Sequence, residues 1–263
     1  MGGRNNEFFN KILASAGIGS AKVDTLVDQA VYVPGEELSG IMRIKGGKID
    51  QEIGKIDIEL KTEYIVEHDD KKTISTCCIA RIKVSDGFHL EQGQELEIPF
   101  SFRLPLETPV THAKQPVWLE TALDIGMALD PTDRDSLKIE SHPYMNTVFE
   151  AVHLLGFRFR SSTCERHPKL GRGVPYVQEF EFTPGSEYAR DIEELELVMQ
   201  LEPEGVHVLV EVDRRGRGLS GWLETAFDMD ERHAWLSLSR EELSYGPDHI
   251  ADALEELIDR QIR

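Results

Sequence analysis

The sequence predicts an all-β protein of two tandem antiparallel β-sandwich domains, with short N-terminal and C-terminal amphipathic helices. Three observations carry that expectation. Segments of strand length alternate apolar and polar residues and are parted by Gly/Pro turn clusters. No long helical pattern separates the strands, as a parallel βαβ sheet would require. The string WLETA-x-D occurs twice, starting at Trp118 and Trp222, and 222 − 118 = 104 residues is close to one sandwich domain.

The elements follow in chain order. Over residues 1–20, Phe8, Phe9, Ile12, Leu13 and Ala16 recur at helical spacing, and Gly17 and Gly19 end the run. This N-terminal helix either caps its own domain or docks on a partner or membrane surface. Residues 21–133 form the first expected sandwich, beginning with an alternating strand at 21–27. The cluster Pro34-Gly35-Glu36-Glu37 turns the chain into a second strand at 38–44, and Gly46-Gly47 marks the next turn. Residues 53–66 and 73–84 are strand-like and parted by a charged tip. Another strand at 96–104 stops at Pro105. The strand at 117–125 carries the first repeat, with Leu119, Thr121 and Leu123 on one face and Trp118, Glu120, Ala122 and Asp124 on the other.

Asp130-Pro131-Thr132-Asp133 suggests a boundary, and residues 134–240 form the second expected sandwich. It opens with a short strand at 137–140 and a helix at 145–156, with Val148, Val152 and Leu155 on one face and Gly156 as the stop. Strands at 157–164, 176–182, 195–201 and 206–213 follow, the last with Val206, Val208, Val210 and Val212 on one face. After the second repeat comes a strand at 234–238. A short strand after each repeat suggests that the repeats are equivalent closing strands. Residues 247–263 form a C-terminal helix, with Pro247 in its first turn and Ile250, Ala253, Leu254, Leu257 and Ile258 as its stripe.

Charge narrows the function. The formal net charge is −19. Through Arg134 there are 22 acidic and 15 basic residues, and beyond it 26 and 14, giving −7 and −12. An anionic surface repels nucleic acid and anionic lipid, so nucleic-acid binding is not expected and membrane association through the first helix would be weak and peripheral. Three cysteines, two of them adjacent, make no disulfide framework and suit a reducing compartment, so the expected location is cytoplasmic. No segment has the length and apolarity of a membrane span.

The chain has no G-x-S-x-G, Walker, H-E-x-x-H or C-x-x-C pattern. Cys164 with His167 makes too few ligands for a tetrahedral metal site, and no metal or other cofactor is called for. Glu120/Asp124 and Glu224/Asp228 recur with the repeats, but four residues apart on a strand they stand too far from one another for a coupled acid/base pair. The expectation is therefore a protein without enzymatic activity. A hydrolase would need a carboxylate or histidine cluster in a closed pocket.

Two basic islands stand out. Arg158, Arg160, Arg166, Lys169 and Arg172 oppose only Glu165, and Arg214, Arg215 and Arg217 lie in an Asp-Arg-Arg-Gly-Arg-Gly turn. Guanidinium forks beside glycines suit an anion or an acidic partner peptide. The alternative is local salt-bridging that offsets the acidity of this half. On the first reading the two islands converge on one surface.

Several segments resemble the bacterial sporulation-control (SpoOM) family, which belongs with arrestin-like folds. At the start these are Phe8-Phe9-x-Lys11-x-Leu13-Ala14, Gly17-Ile18-Gly19 and Ala21-Lys22-Val23-Asp24. Val33-Pro34-Gly35-Glu36 with Gly40, Ile98-Pro99-Phe100-Ser101-Phe102 with Leu104-Pro105, and Thr108-Pro109-Val110-Thr111 continue the likeness. Leu123-Asp124-Ile125 through Asp130-Pro131, Leu155-Gly156-Phe157 and the turn at 213–218 complete it. The resemblance implies two arrestin-like sandwiches end to end, no catalysis, and a regulatory or scaffold role through protein partners in sporulation, stress response or cell-cycle control. No binding site transfers residue by residue.

Overall fold

The computed structural model describes residues 21–69, 71–125, 132–214 and 235–262. The expected helix within 1–20, the second WLETA-x-D repeat, Arg215 and Arg217 lie outside the described residues. The protein is mainly β, as the alternating segments predict. Its contacts divide it into two units, one of residues 1–62, 78–105 and 116–139, the other of residues 63–77, 106–115 and 140–263.

The first unit contains β1 (Lys22–Val27), β2 (Glu37–Lys45), most of β3 (Gln51–His68) and of β4 (Lys71–Ser85), β5 (Phe88–Leu90), β6 (Glu95–Arg103), β7 (Val117–Ile125) and β8 (Thr132–Ser136). Strands β1, β2 and β6 form one antiparallel sheet. In a second sheet β3 pairs with β4, β5 and β7, and β7 with β8. Period-two patterning is strict in β2, where Leu38, Gly40, Met42 and Ile44 are buried between more exposed neighbours. In β3 the phase shifts between Ile53 and Ile56, a bulge that keeps Ile53, Ile56, Ile58 and Leu60 all buried. The first repeat behaves as read, with Leu119, Thr121, Leu123 and Ile125 buried and Ala122 and Asp124 exposed. Thr25 and Thr121 share a buried hydroxyl hydrogen bond of 2.9 Å, which ties β1 to β7.

The strand expected at 137–140 is not one. The ladder neighbour of β7 is the polar β8, which pairs Trp118 with Ser136 and Ala122 with Thr132. Leu137 and Ile139 are buried, and Ile139 makes a single bridge to Tyr32. Alternating hydropathy reported burial there, but burial does not specify a hydrogen-bonding partner. In β8 Thr132, Arg134 and Ser136 are exposed, with Arg134 lying 3.9 Å over the Trp118 ring, while Asp133 and Asp135 are half-buried and the Asp133 carboxylate accepts from Thr25 N–H.

The second unit contains the tip of the β3–β4 hairpin, a 3₁₀ turn (His112–Lys114), α1 (Pro143–Leu154), β9 (Arg158–Arg166), β10 (Tyr176–Thr183), β11 (Ile192–Glu202), β12 (Gly205–Arg214), β13 (Trp235–Ser239), α2 (Arg240–Ser244) and α3 (Pro247–Ile262). Strands β9 to β13 pair in sequence order as an antiparallel meander. Helix α1 ends as predicted, with Gly156 at φ +85° after the Leu155 cap. In α3 the buried stripe is Ile250, Ala251, Leu254, Leu257 and Ile258, so Ala251 takes the place expected for Ala253. That stripe packs on α1 and β12, and Gln261 accepts from Val212 N–H and donates to Val210 C=O.

Candidate interaction surface of the second unit

The arginines of the first basic island do not stand together. Arg158 and Arg160 open β9 and Arg166 closes it; 166 − 158 = 8 residues of strand is about 26 Å. Lys169 and Arg172 lie in the loop beyond Arg166, and Arg172 reaches Glu202 at 2.6 Å and Leu201 C=O at 3.2 Å. Arg214 ends β12 opposite Ile192. Through the pairs Arg158↔Thr183 and Glu194↔Asp213, that end of β12 lies on the Arg158 side of the sheet. Three strand spacings, about 14 Å, separate them. The structure thus groups Arg158 and Arg160 with Arg214, and sets Arg166, Lys169 and Arg172 at the opposite end.

Two of these arginines are engaged by carboxylates. Arg160 holds Glu194 at 2.7 Å, and Arg172 holds Glu202. Arg158 and Arg166 present exposed side chains.

The same sheet also carries a ladder of carboxyl groups. Register puts Glu179 beside Thr163 and Val198, Glu181 beside Ser161 and Glu196, Glu196 beside Glu211, and Glu194 beside Asp213. Opposite residues in an antiparallel pair share a face, so six carboxyl groups line one side of β10, β11 and β12. Like charges placed opposite one another are unfavourable, and burial makes them more so. Burial, then the neighbouring Glu165, Glu196 and Glu181, pushes Glu179 up to about 9 against a weak opposing pull from Lys72. Burial and then Glu196 and Asp213 push Glu211 to about 8. Burial and then Glu194 and Glu181 bring Glu196 to about 7. Near neutral pH this face therefore retains protons. Glu179 Oε1, Glu196 Oε2 and Asp213 Oδ2 are buried and accept no hydrogen bond from the described residues, while Glu181 is held by Ser161 Oγ.

Perturbed carboxyls are a functional signal only when they line a site. The cavity ringed by Phe149, Phe159 and Phe182 and the one beside Gly171, Val177 and Val198 both lack members of this ladder. Cys77 and Cys164 are buried and Cys78 is exposed, all as free thiols. Burial, first of all, raises Cys164 well above the usual thiol range, so it is a poor nucleophile. His167 beside it accepts from Leu170 N–H. No group of three or more His, Cys, Asp or Glu with metal-holding geometry occurs among the described residues.

A family model described as "SpoOM protein" matches residues 9–216 of this chain. The chain belongs to the SpoOM protein family. The sporulation-control protein spo0M of Bacillus subtilis (strain 168) is 42% identical over 254 residues, which cover 96% of this chain and 98% of that protein. The crystal structure of Spo0M, sporulation control protein, from Bacillus subtilis superposes with a TM-score of 0.87 at 40% identity, covering 93% of this chain and 100% of that one. The family suggested by the opening segments, Pro34-Gly35 hairpin and Ile98–Phe102 pattern is thus the family shown.

Proposed function

We propose that the protein is a non-catalytic cytoplasmic regulator of the sporulation-control type that acts by binding other proteins. The observation that carries this reading is the end-to-end likeness to a sporulation-control protein, 96% of one chain against 98% of the other. A likeness of that extent involves both contact units rather than one borrowed module. The tandem arrestin-like arrangement belongs to the same reading, supported by the two β-rich units. Arginine-bearing strand ends in a chain of net charge −19 favour a partner that offers carboxylates to Arg158 and Arg214 at one end, or to Arg166 at the other.

Affinity capture from native cell extract tests the reading. The intact protein is compared with Arg158→Glu/Arg214→Glu/Arg215→Glu/Arg217→Glu and, separately, with Arg166→Glu/Lys169→Glu. The expected result is loss of a specific partner from one variant and its retention by the other. Identical partner sets for all three would remove the arginines from the contact surface.

A further inference from the structure

A cavity of about 230 Å³ opens in the second unit between α1, β9 and β10. Phe149 and His153, four residues apart, share the helix face that forms one wall. Phe180 and Phe182, two residues apart on β10, form another. Phe157 and Phe159 supply the third, and the His112 ring closes the site from the 3₁₀ turn. Ring contacts hold these walls: Phe149 meets Phe180 edge-on at 5.0 Å, Phe159 meets Phe182 at 5.8 Å, and Phe157 stacks on Tyr188 at 5.0 Å.

One backbone irregularity makes the cavity aromatic. Glu181 pairs with Ser161, but the next residue, Phe182, pairs with Phe159, so β9 bulges at Arg160. Without the bulge Arg160 would face Phe182, and a guanidinium would enter the cavity. With it, Arg160 turns to Glu194 and Phe159 becomes a half-exposed wall. Among the described residues no Asp, Glu, Lys or Arg lines the space.

We propose that this cavity is a binding site for a small neutral bicyclic aromatic molecule of indole size. An apolar cavity of about 150 Å³ takes benzene, and this one is about 1.5 times larger, the ratio of indole's ring atoms to benzene's. A charged ligand would lose its hydration against five phenyl rings that offer no counter-charge. The phenyl edges and faces suit a flat π-system, and the two imidazoles offer the nitrogen acceptors that an indole N–H needs. His112 is steadied for this by Ser141 Oγ, 3.3 Å from its Nε2. The site is independent of the arginines and of the partner-binding reading above.

The test is titration of the full-length protein with indole, followed by protein-observed NMR and calorimetry. Saturable one-to-one binding with a dissociation constant below about 1 mM is expected, with shifts centred on Phe149, Phe159 and Phe182. Phe159→Ala, at a half-exposed wall, weakens binding about tenfold. His153→Trp, on the exposed last turn of α1, fills the cavity and abolishes binding while leaving the thermal midpoint in place. N-acetyltryptophanamide, which carries the same ring on a peptide stem, binds at least tenfold more weakly. Absence of saturable indole binding in the millimolar range would overturn the proposal. So would binding that both variants leave unchanged, and equal affinity for the amide would assign the cavity to a partner's side chain instead.

Discussion

The bond from Arg160 to Glu194 shows how a buried carboxylate sets the value of an arginine. Glu194 is 7% exposed, and burial and then Glu181 raise it, while Arg160 pulls it back down. Arg160→Ala removes that partner and is expected to cost about 1–2 kcal/mol, discounted because the guanidinium is itself half in solvent. Arg158→Ala, exposed at the first position of β9, is expected to stay within about 0.5 kcal/mol. Urea unfolding of both variants distinguishes a structural arginine from a surface one, and equal losses would deny the pair its role. Glu179 gives the complementary case. Its carboxyl titrates at about 9 in the folded protein against 4.5 for the free group, so at pH 7 the folded state must hold a proton that the unfolded chain has released. Glu179→Gln keeps the shape and removes the penalty. The variant is expected to gain on the order of 2 kcal/mol at pH 7 and nothing at pH 4, where the carboxyl is protonated in both states.

Among the elements, the turns and caps are where local chemistry can be tested without disturbing packing. Gly156 has φ +85° with open space around a would-be Cβ, so Gly156→Ala pays only for the left-handed backbone, about 1 kcal/mol. At Gly40 a Cβ would lie 2.3 Å from Leu26 C=O, so Gly40→Ala must push β1 from β2 and is expected to cost more than Gly156→Ala. Thermal melts of the two variants rank them. Helix α2 rests on a capping box in which Ser239 and Glu242 satisfy each other's backbone N–H groups, and Ser239→Ala is expected to cost about 1 kcal/mol. That box is written in Ser239-Arg240-Glu241-Glu242, yet the helix is too short to carry an apolar stripe, so periodicity passes over it. Most strands were legible because one of their faces is buried, which forces alternation. β8 was not, since its Thr-Asp-Arg-Asp-Ser sequence is held by a ladder and by Arg134 on Trp118 rather than by apolar burial. The first arginine island is divided between the two ends of β9 because nearness in sequence becomes distance along an extended strand. The carboxyl ladder and the aromatic cavity were both present as period-two doublets, Glu179/Glu181 with Glu194/Glu196 and Phe157/Phe159 with Phe180/Phe182. Which doublets become neighbours depends on register and on one bulge, and neither is encoded in local composition.

At the scale of the whole molecule the buried carboxyls whose titration is raised act together. Glu179 and Glu211 are raised to about 9 and 8, Glu196 to about 7, and Asp135 to about 6, in each case by burial first and then by neighbouring carboxylates. A carboxyl raised in the folded state contributes stability that is full below its unfolded value and is lost as pH climbs through the folded one. The window therefore runs from about 4.5 to 9, and through it the folded protein binds more protons than the unfolded chain. The net charge of −19 adds to the trend, because each proton released strengthens repulsion across a compact surface. Two opposing carboxyls set the acid limit: Glu59 is lowered by its hydrogen bond to Lys61, and Glu242 by Ser239, so both lose stabilising contacts once protonated. The expected profile has its maximum near pH 5–6 and falls by several kcal/mol toward pH 9, more steeply at low salt, where surface repulsion is least screened. Denaturant midpoints at pH 5.5, 7 and 9 in low and high salt measure it directly. Glu179→Gln/Glu211→Gln should flatten the alkaline limb without moving the acid one. A wild-type midpoint that rises from pH 5.5 to 9 would mean that the ladder is ionised and solvated in solution, and with it the burial that sets these carboxyls apart would be lost.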